Sequence, residues 1–530
     1  MVYPQWGAYG WLGGGLAVSE VRDPPRTLGG TLRTLGPGLV LAGSIVGSGE
    51  LIAATLTGAK AGFIFLGLII FGCVIKVFVQ VEIARYAISS GKTSLEALNE
   101  TPGPRASFQW RGRKVQANWI VIFWCATMIA GLGQLGGIVG GVGQAMAISL
   151  PLTSRGEEFN RVAEAKAQAQ ILKKQIEAMI SDAPGRPAAM AELDRRQQSY
   201  AGYKFTARPP DDKWWAVILA VVASILLMRG SFGFIEAFST ILVASFTLVT
   251  IGNLFALQSH EAWSIKAANL HEGLGLSFLS SGTDKLGLAL ATFGIIGVGA
   301  SEIVAYPYWC LEKGYGRWTG PRDESENWLR RARGWMRVLQ WDAWASMVVY
   351  TFCTVVFYLL GAAVLSRLGL VPEKQDLIRT LSAMYLPVFG GWAQTVFLFG
   401  AFAVLFSTFF VSNAGKARMF TDVTRVTGVL EMDEARRQKG VRLLGGLLPM
   451  VCVLVYIVWP NPARLVVFSG MMQSLLLPML GVGILWFRYR RIDPRLAPGR
   501  LWDVFLWISF SSFVVIGVYL AWTRLGKLLG

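Results

Sequence analysis

The sequence predicts an all-α integral membrane protein of about eleven transmembrane helices, on the grounds of its composition, its apolar runs and the placement of its charges. Of the 530 residues, 53% are hydrophobic and only 16% are charged, whereas charged residues make up about a quarter of a typical soluble chain. The 60 glycines lie mostly inside apolar stretches, as in membrane helices that pack closely. A soluble protein is therefore excluded.

Eleven apolar runs are long enough to cross a membrane, which takes about 20 helical residues. Alternating their connections places most lysines and arginines of the short loops, including those from Lys416 to Arg442, on one side. By the positive-inside rule the N-terminus is cytoplasmic and the C-terminus is external. The predicted spans lie near residues 35–58, 61–88, 117–150, 214–228, 236–258, 286–310, 342–366, 387–413, 442–459, 464–487 and 501–523.

The net charge of +17 is explained by this topology, so no nucleic-acid partner is expected. The protein is expected to lie in a lipid bilayer, namely a plasma membrane of the bacterial type. Residues 1–34 precede the first apolar run and contain the turn Asp23-Pro24-Pro25. They are predicted to form a cytoplasmic N-terminal segment that is not a cleaved signal peptide.

The connection 151–213 is the one long polar segment. Apolar residues recur at helical spacing over residues 156–181, a Pro- and Gly-containing turn follows near 183–187, and a second polar helix comes after it. The segment is predicted to be an external helical hairpin. A solvated insertion is favoured over a cap that binds a partner or gates the molecule, since exposed loops tolerate insertions.

Enzyme chemistry has little support in the sequence. The five cysteines all lie in apolar runs without a CxxC pair, and His260 and His271 are the only histidines. No P-loop, GxSxG or HExxH motif is present. The chain is therefore predicted not to be an enzyme and to need no cofactor.

Six ionisable side chains fall inside predicted spans, where a charge is costly and calls for a reason. Three of them stand near span ends and are predicted to be interfacial caps or ion pairs, namely Glu82, Glu236 and Asp342. The other three lie deep within their spans and are the candidates for function, namely Glu50, Lys76 and Glu302.

The surroundings of the two deep glutamates match. Span one contains Gly47-Ser48-Gly49-Glu50, and span six contains Gly299-Ala300-Ser301-Glu302. In transporters built from two inverted five-helix repeats, these two spans are discontinuous and their unwound centres form the substrate site. Breaks are therefore predicted near residues 46–50 and 298–302. The alternative is that the glycines serve close packing and the glutamates are counter-ions, for example to Lys76.

Further residues are assigned to this site. Gln134 and Gln473 either point amides into the cavity or join helices by hydrogen bonds. Lys76 either couples transport by neutralising a glutamate in the empty site, or reaches an interface or freed carbonyls. The predicted substrate-binding residues are Gly47, Ser48, Gly49, Gly299, Ser301, Gln134 and Gln473, with Glu50 and Glu302 as metal ligands.

A family resemblance adds to this reading. Leu35 through Gly38, Gly58 through Phe63, Gln80 through Arg85 with Gly91-Lys92, and Gly230 through Glu236 resemble the Nramp family of divalent-metal transporters, in the amino acid/polyamine/organocation superfamily. The resemblance implies a LeuT-like fold. Its first inverted repeat would cover residues 35–258 with the insertion, its second residues 284–487, and an eleventh helix residues 501–523.

The chain departs from the family at its functional positions. The family's metal motif Asp-Pro-Gly-Asn aligns with Gly47 through Glu50, and its Met-Pro-His aligns with Ile303-Val304-Ala305. The acidic pair of the family's proton route aligns with Gln134 and Gly137. Neither metal selectivity nor proton coupling is therefore carried over.

The residues that remain favour a hard cation. Carboxylate, hydroxyl and carbonyl oxygens suit magnesium, calcium or manganese, whereas a methionine sulfur favours softer metals. The leading hypothesis is an inward transporter of a hard divalent cation, with magnesium or manganese favoured. The alternatives are a transporter of a small organic solute, such as an amino acid or amine paired with Glu50 or Glu302, and a non-transporting membrane receptor or scaffold.

Overall fold

The computed structural model describes residues 21–178, 185–203, 208–229, 232–261, 263–275, 282–372 and 376–529. Over these residues the chain is helical apart from its connections and one short β-hairpin. The α-helices are α1 (Leu28–Thr34), α2 (Pro37–Ile45), α3 (Thr55–Ala61), α4 (Leu66–Ser90), α5 (Ser94–Asn99), α6 (Trp119–Ser149), α7 (Ser154–Ala178), α8 (Arg186–Ala201), α9 (Asp211–Arg229), α10 (Phe232–Leu257), α11 (Ala267–Leu274), α12 (Thr283–Phe293), α13 (Ala300–Lys313), α14 (Tyr315–Thr319), α15 (Glu326–Leu360), α16 (Ser366–Leu368), α17 (Leu377–Ser382), α18 (Leu386–Phe389), α19 (Ala393–Val426), α20 (Glu434–Val458), α21 (Pro462–Arg490) and α22 (Arg500–Leu529).

Within the described residues, nine helices are long and apolar enough to cross a membrane, and they coincide with nine of the predicted spans. They are Pro37–Ala61, Leu66–Ser90, Trp119–Ser149, Gly233–Leu257, Glu326–Leu368, Ala393–Val426, Glu434–Val458, Pro462–Arg490 and Arg500–Thr523. The predicted span 214–228 is the 19-residue helix α9, which carries charges at both ends. The predicted span 286–310 is divided between α12 and α13. An integral membrane protein is confirmed.

One helix is longer than its predicted span in a way that bears on the site. Helix α19 does not stop at residue 413 but runs to Val426, so Lys416 and Arg418 lie inside a helix and not in a connection. Both are largely buried. The helix continues past its apolar run because neighbouring helices surround its polar side chains, including Asp422 at 0% exposure.

The polar segment 151–213 forms the predicted helical hairpin. Helices α7 and α8 pack against each other, while the turn residues 179–184 lie outside the described part of the chain. Arg379 holds the hairpin against α17, donating to Glu164 Oε2 at 2.8 Å and to Asn160 Oδ1 at 3.0 Å. The hairpin is therefore attached to the rest of the protein by side-chain contacts as well as by its two ends.

One β-hairpin departs from the predicted all-α fold. Strands β1 (Arg105–Trp110) and β2 (Arg113–Asn118) form an antiparallel hairpin. Its two-residue turn has positive φ at Arg111 and Gly112, as in the type I′ turns that join such strands.

Of the predicted N-terminal segment 1–34, residues 1–20 lie outside the described residues, and the remainder contains α1.

Candidate functional site

The sixth predicted span is interrupted in the buried interior. Residues 294–299, here called the interrupted segment, separate α12 from α13 without forming a helix. Within it, Gly297 has φ +55°, a conformation that suits glycine. The predicted break in this span is confirmed, although it lies before residues 298–302 as well as within them. The reason is that Ala300 through Glu302 already form the first turn of α13.

The predicted break in the first span is wrong. Residues Val46–Ala54 form a π-helix that joins α2 to α3, and each of them is buried. The glycines therefore widen the helical turn and do not interrupt it. π-helical turns are rare and occur frequently at functional sites, because the extra residue in the turn redirects side chains.

Two glycines of the π-helix allow close backbone contacts. A Cβ on Gly49 would lie 2.6 Å from the carbonyl oxygen of Ile295, in the interrupted segment. A Cβ on Gly47 would lie 2.5 Å from Thr408 Oγ1, which accepts a hydrogen bond from the Gly47 N–H at 2.9 Å. Both positions are therefore glycine for close packing, which was the alternative to a break that the sequence analysis gave for them.

Glu50 connects the π-helix to the interrupted segment. Its Oε1 accepts hydrogen bonds from the Gly297 N–H at 3.0 Å and from Thr354 Oγ1 at 2.8 Å. Its Oε2 is buried and has no hydrogen-bond partner among the described residues. The carboxylate is fully buried, so it keeps one oxygen available for a further ligand.

Lys76 approaches the interrupted segment from α4. Its ammonium donates to the carbonyl oxygens of Phe293 and Ile296, the latter at 2.9 Å, and lies 4.5 Å from the centre of the Phe293 ring. The side chain is fully buried. Of the roles considered for Lys76 from the sequence, the structure shows the one in which its ammonium donates to freed carbonyl oxygens.

A chain of hydrogen bonds joins the polar residues predicted for the site. Gln134 Nε2 donates to Ser48 Oγ at 2.9 Å, and Gln473 Nε2 donates to Gln134 Oε1 at 2.8 Å. Ser301 donates its N–H to Gln473 Oε1 at 3.1 Å and its hydroxyl to Glu302 Oε1 at 2.9 Å. Spans one, three, ten and six therefore meet through residues that the sequence assigned to one site.

Glu302 also lines a small cavity between α2, α13 and α19. The cavity volume is about 10 Å³, which is close to the least that holds one water molecule. Its lining includes Lys416 of α19, so a carboxylate and an ammonium line the same cavity. Its lining residues are Ser44, Ser301, Glu302, Ala305, Trp309, Val411, Ser412, Gly415, Lys416 and Met419.

Two polar contacts join α13 to α19 next to Trp309, which lines the cavity. Arg418 forms a two-pronged ion pair with Glu312, and its guanidinium carbon lies 4.8 Å from the centre of the Trp309 ring. Tyr308 donates to Asp422 Oδ2 at 2.6 Å. Separating α13 from α19 at this end would require breaking both contacts.

The residues predicted as caps or ion pairs behave as such where they are described. Asp342 accepts hydrogen bonds from the backbone N–H groups of Gly36 and Gly38 at 2.9 and 2.6 Å, at the start of α2. Glu82 pairs with Arg85 at 3.2 Å. The side chain of Glu236 lies outside the described residues.

The two candidate metal ligands do not share a hydrogen-bond partner. Glu50 bonds to Gly297 and Thr354, whereas Glu302 bonds to Ser301. Glu302 Oε2 lies 2.4 Å from the place of a Cβ on Gly299, so both carboxylates lie against the interrupted segment. Within the described part of the chain, no group of three His, Cys, Asp or Glu residues is placed to hold a metal.

Sequence reasoning missed three residues of this region. Lys416 lines the cavity, Thr354 donates to Glu50, and Thr408 bonds to Gly47. The threonines carry no signal in sequence, because hydroxyls are common in membrane helices. Lys416 had one: it stands among Ala414, Gly415 and Ala417, small residues typical of a close helix contact.

This architecture recurs in solved structures. The manganese transporter of Eremococcus coleocola, in complex with an aromatic bis-isothiourea substituted compound, matches with a TM-score of 0.58 at 14% identity, over 95% of this chain and 88% of that chain. A variant of that transporter matches with a TM-score of 0.56 at 14% identity, over 94% and 88% of the two chains. The chain therefore has the fold of these membrane transporters, with the interrupted sixth span of the LeuT-like class.

The family follows from the sequence. Residues 200–523, more than half of the chain, match the model of the Nramp family, described as natural resistance-associated macrophage protein-like. The chain therefore belongs to the Nramp family, as its resemblance predicted. No curated protein matches it.

Proposed function

We propose that this protein is a secondary transporter that carries a hard divalent cation, with magnesium or manganese favoured, inward by alternating access. The observation that carries the proposal is the position of two carboxylates, Glu50 and Glu302, against the interrupted segment of span six. Membership of the Nramp family supports it, as does the likeness to a manganese transporter.

The ligands available to such an ion are mainly oxygens. Besides the carboxylates, the hydroxyls of Ser44, Ser301 and Ser412 line the cavity beside Glu302. Magnesium usually retains several waters and binds through one or two carboxylates, whereas calcium takes six to eight oxygen ligands. The absence of a three-residue cluster in the described chain therefore favours an ion that keeps part of its hydration shell.

Alternating access would proceed at the contacts between α13 and α19. The ion would be held at the half-helix ends of span six while one helix bundle moves against the other. Opening toward the side reached by α13 requires α13 to separate from α19, with loss of the Glu312–Arg418 pair. With the N-terminus in the cytoplasm, that side is the cytoplasm, and the ion leaves inward.

Calorimetry and flux measurements test this proposal. The purified protein should bind Mg²⁺ or Mn²⁺, and Glu302→Gln should weaken binding at least about tenfold, the equivalent of about 1.4 kcal/mol. Glu431→Gln is the matched control, because Glu431 is 85% exposed and pairs with Arg113 on the surface. Equal affinity in wild type and Glu302→Gln would refute a site at Glu302. Preference for Cd²⁺ would assign the selectivity to the sulfur of Met419 in the cavity wall.

A second candidate function is favoured by one observation. Glu302 and Lys416 present opposite charges to the same cavity, beside the apolar side chains of Trp309 and Val411. Once α13 and α19 separate and the cavity widens, a zwitterionic solute such as an amino acid could pair its ammonium with Glu302 and its carboxylate with Lys416. Lys416→Met separates the two functions: it should abolish binding of such a solute, but it should preserve or strengthen binding of a divalent cation, because it removes a like charge.

A further inference from the structure

The C-terminal end of α12 lies inside the protein, where its last carbonyl groups have no helical partner. Such an end also carries partial negative charge from the helix dipole. Backbone N–H groups of residues 294–296 bond to Ala291 O and Thr292 O. Two side chains donate to the other oxygens: Ser474 donates its hydroxyl to Leu290 O at 2.8 Å, and Lys76 donates its ammonium to Phe293 O and Ile296 O. One of these donors is neutral and the other is a cation.

The surroundings of the Lys76 ammonium resemble those of an ion site. Backbone carbonyls of an unwound segment, at the C-terminal end of a half-helix, are the ligands that transporters of this class use for a free monovalent cation. The ammonium is fully buried and has no ion-pair partner within 4.0 Å among the described residues. The fully buried carboxylate of Glu50 bonds to the same segment, at Gly297, and supplies the nearby negative charge.

We propose that Lys76 is a tethered substitute for a coupling cation. Its ammonium occupies the place at which a free monovalent ion would otherwise bind, and it holds the interrupted segment in shape without that ion. The protein therefore keeps this structure without sodium. This inference concerns the ion that holds the segment and is independent of what the protein carries.

Thermal stability in matched salts tests the inference. The wild-type melting temperature should be the same in NaCl, KCl and choline chloride at equal ionic strength. Lys76→Met should melt lower in choline chloride and should recover by about 3 °C or more in NaCl or KCl, because an ion can then bind at the vacated carbonyls. Lys76→Arg keeps the charge and should remain indifferent to the choice of salt.

Ser474→Ala is the matched control. It removes a neutral donor to the same half-helix, so it should lower the melting temperature equally in all salts. The proposal is overturned if Lys76→Met is equally stable in every salt, or if sodium stabilises the wild type. If Lys76→Met does not fold, Lys76→Gln repeats the test, and failure of both variants to fold in every salt also overturns the proposal, since no free ion then replaces the ammonium.

Discussion

The carboxylate of Glu50 accepts a hydrogen bond from the backbone N–H of Gly297, which lies 247 positions later in the chain. The bond joins the π-helix of the first span to the interrupted segment of the sixth. Lys76 donates to Ile296 O of the same segment and to Phe293 O at the end of α12, so a carboxylate and an ammonium both contact this backbone. Charged side chains therefore supplement the backbone hydrogen bonds that residues 294–296 make to the end of α12.

Glu50→Gln should weaken divalent-cation binding at least about tenfold, with a modest loss of stability. The amide oxygen of glutamine can still accept from Gly297, but the negative charge is lost. Thr354→Val keeps the charge and removes one donor to Glu50, so it should weaken binding less, by about three- to tenfold. Isothermal calorimetry measures both, and a larger effect from Thr354→Val would contradict a role for the charge.

Gly49→Ala should destabilise the protein by about 1–3 kcal/mol, because its Cβ would meet the carbonyl oxygen of Ile295 at 2.6 Å. Gly252→Ala in α10 is the control. A Cβ there meets nothing within 4 Å, so the change should be neutral or should stabilise by up to about 1 kcal/mol. Unfolding in detergent measures both, and equal effects would mean that the contact with Ile295 is easily relaxed.

Transport should involve little proton movement along the third span. Gln134 and Gly137 stand where the family has acids, and Gln134 is engaged with Ser48 and Gln473 by hydrogen bonds that need no titrating group. Proteoliposomes with a pH-sensitive dye in the lumen provide the measurement. Strong acidification during uptake would show that another group carries protons, with Glu50 and Glu302 as the first candidates.

The Glu312–Arg418 pair should show strong coupling in a double-mutant cycle. Glu312→Gln or Arg418→Met alone leaves one buried charge without its partner, which costs about 3–5 kcal/mol. The double variant should cost clearly less than the sum of the two. Chemical unfolding of the four proteins gives the coupling energy, and additive effects would show that the two charges are solvated independently.

The span positions and the meeting of the polar residues were predictable, because both depend on local patterns. Apolar runs locate the helices, and the paired motifs at Glu50 and Glu302 pointed to spans one and six. Gln134 and Gln473 followed as polar side chains inside apolar helices, and they do join this region.

The state of the first span and the length of α19 were not predictable in the same way. In a π-helix each N–H bonds to the carbonyl five residues earlier, whereas at a break it has no partner in the helix. Here the π-helix coincides with contacts to Ile295 and Thr408, which are far away in the chain. Likewise Lys416 was assigned to a connection, because the sequence shows its charge but not the neighbouring helices that bury it.

The contact between Gly49 and Ile295 has a mechanical consequence. No side chain lies between the two backbones at this point, so no rotamer change can absorb a displacement of one relative to the other. A closely packed contact of this kind transmits strain instead of absorbing it. A rotation of the interrupted segment is therefore expected to move the π-helix as well. At this contact, spans one and six are expected to move as one rigid body when the protein changes conformation.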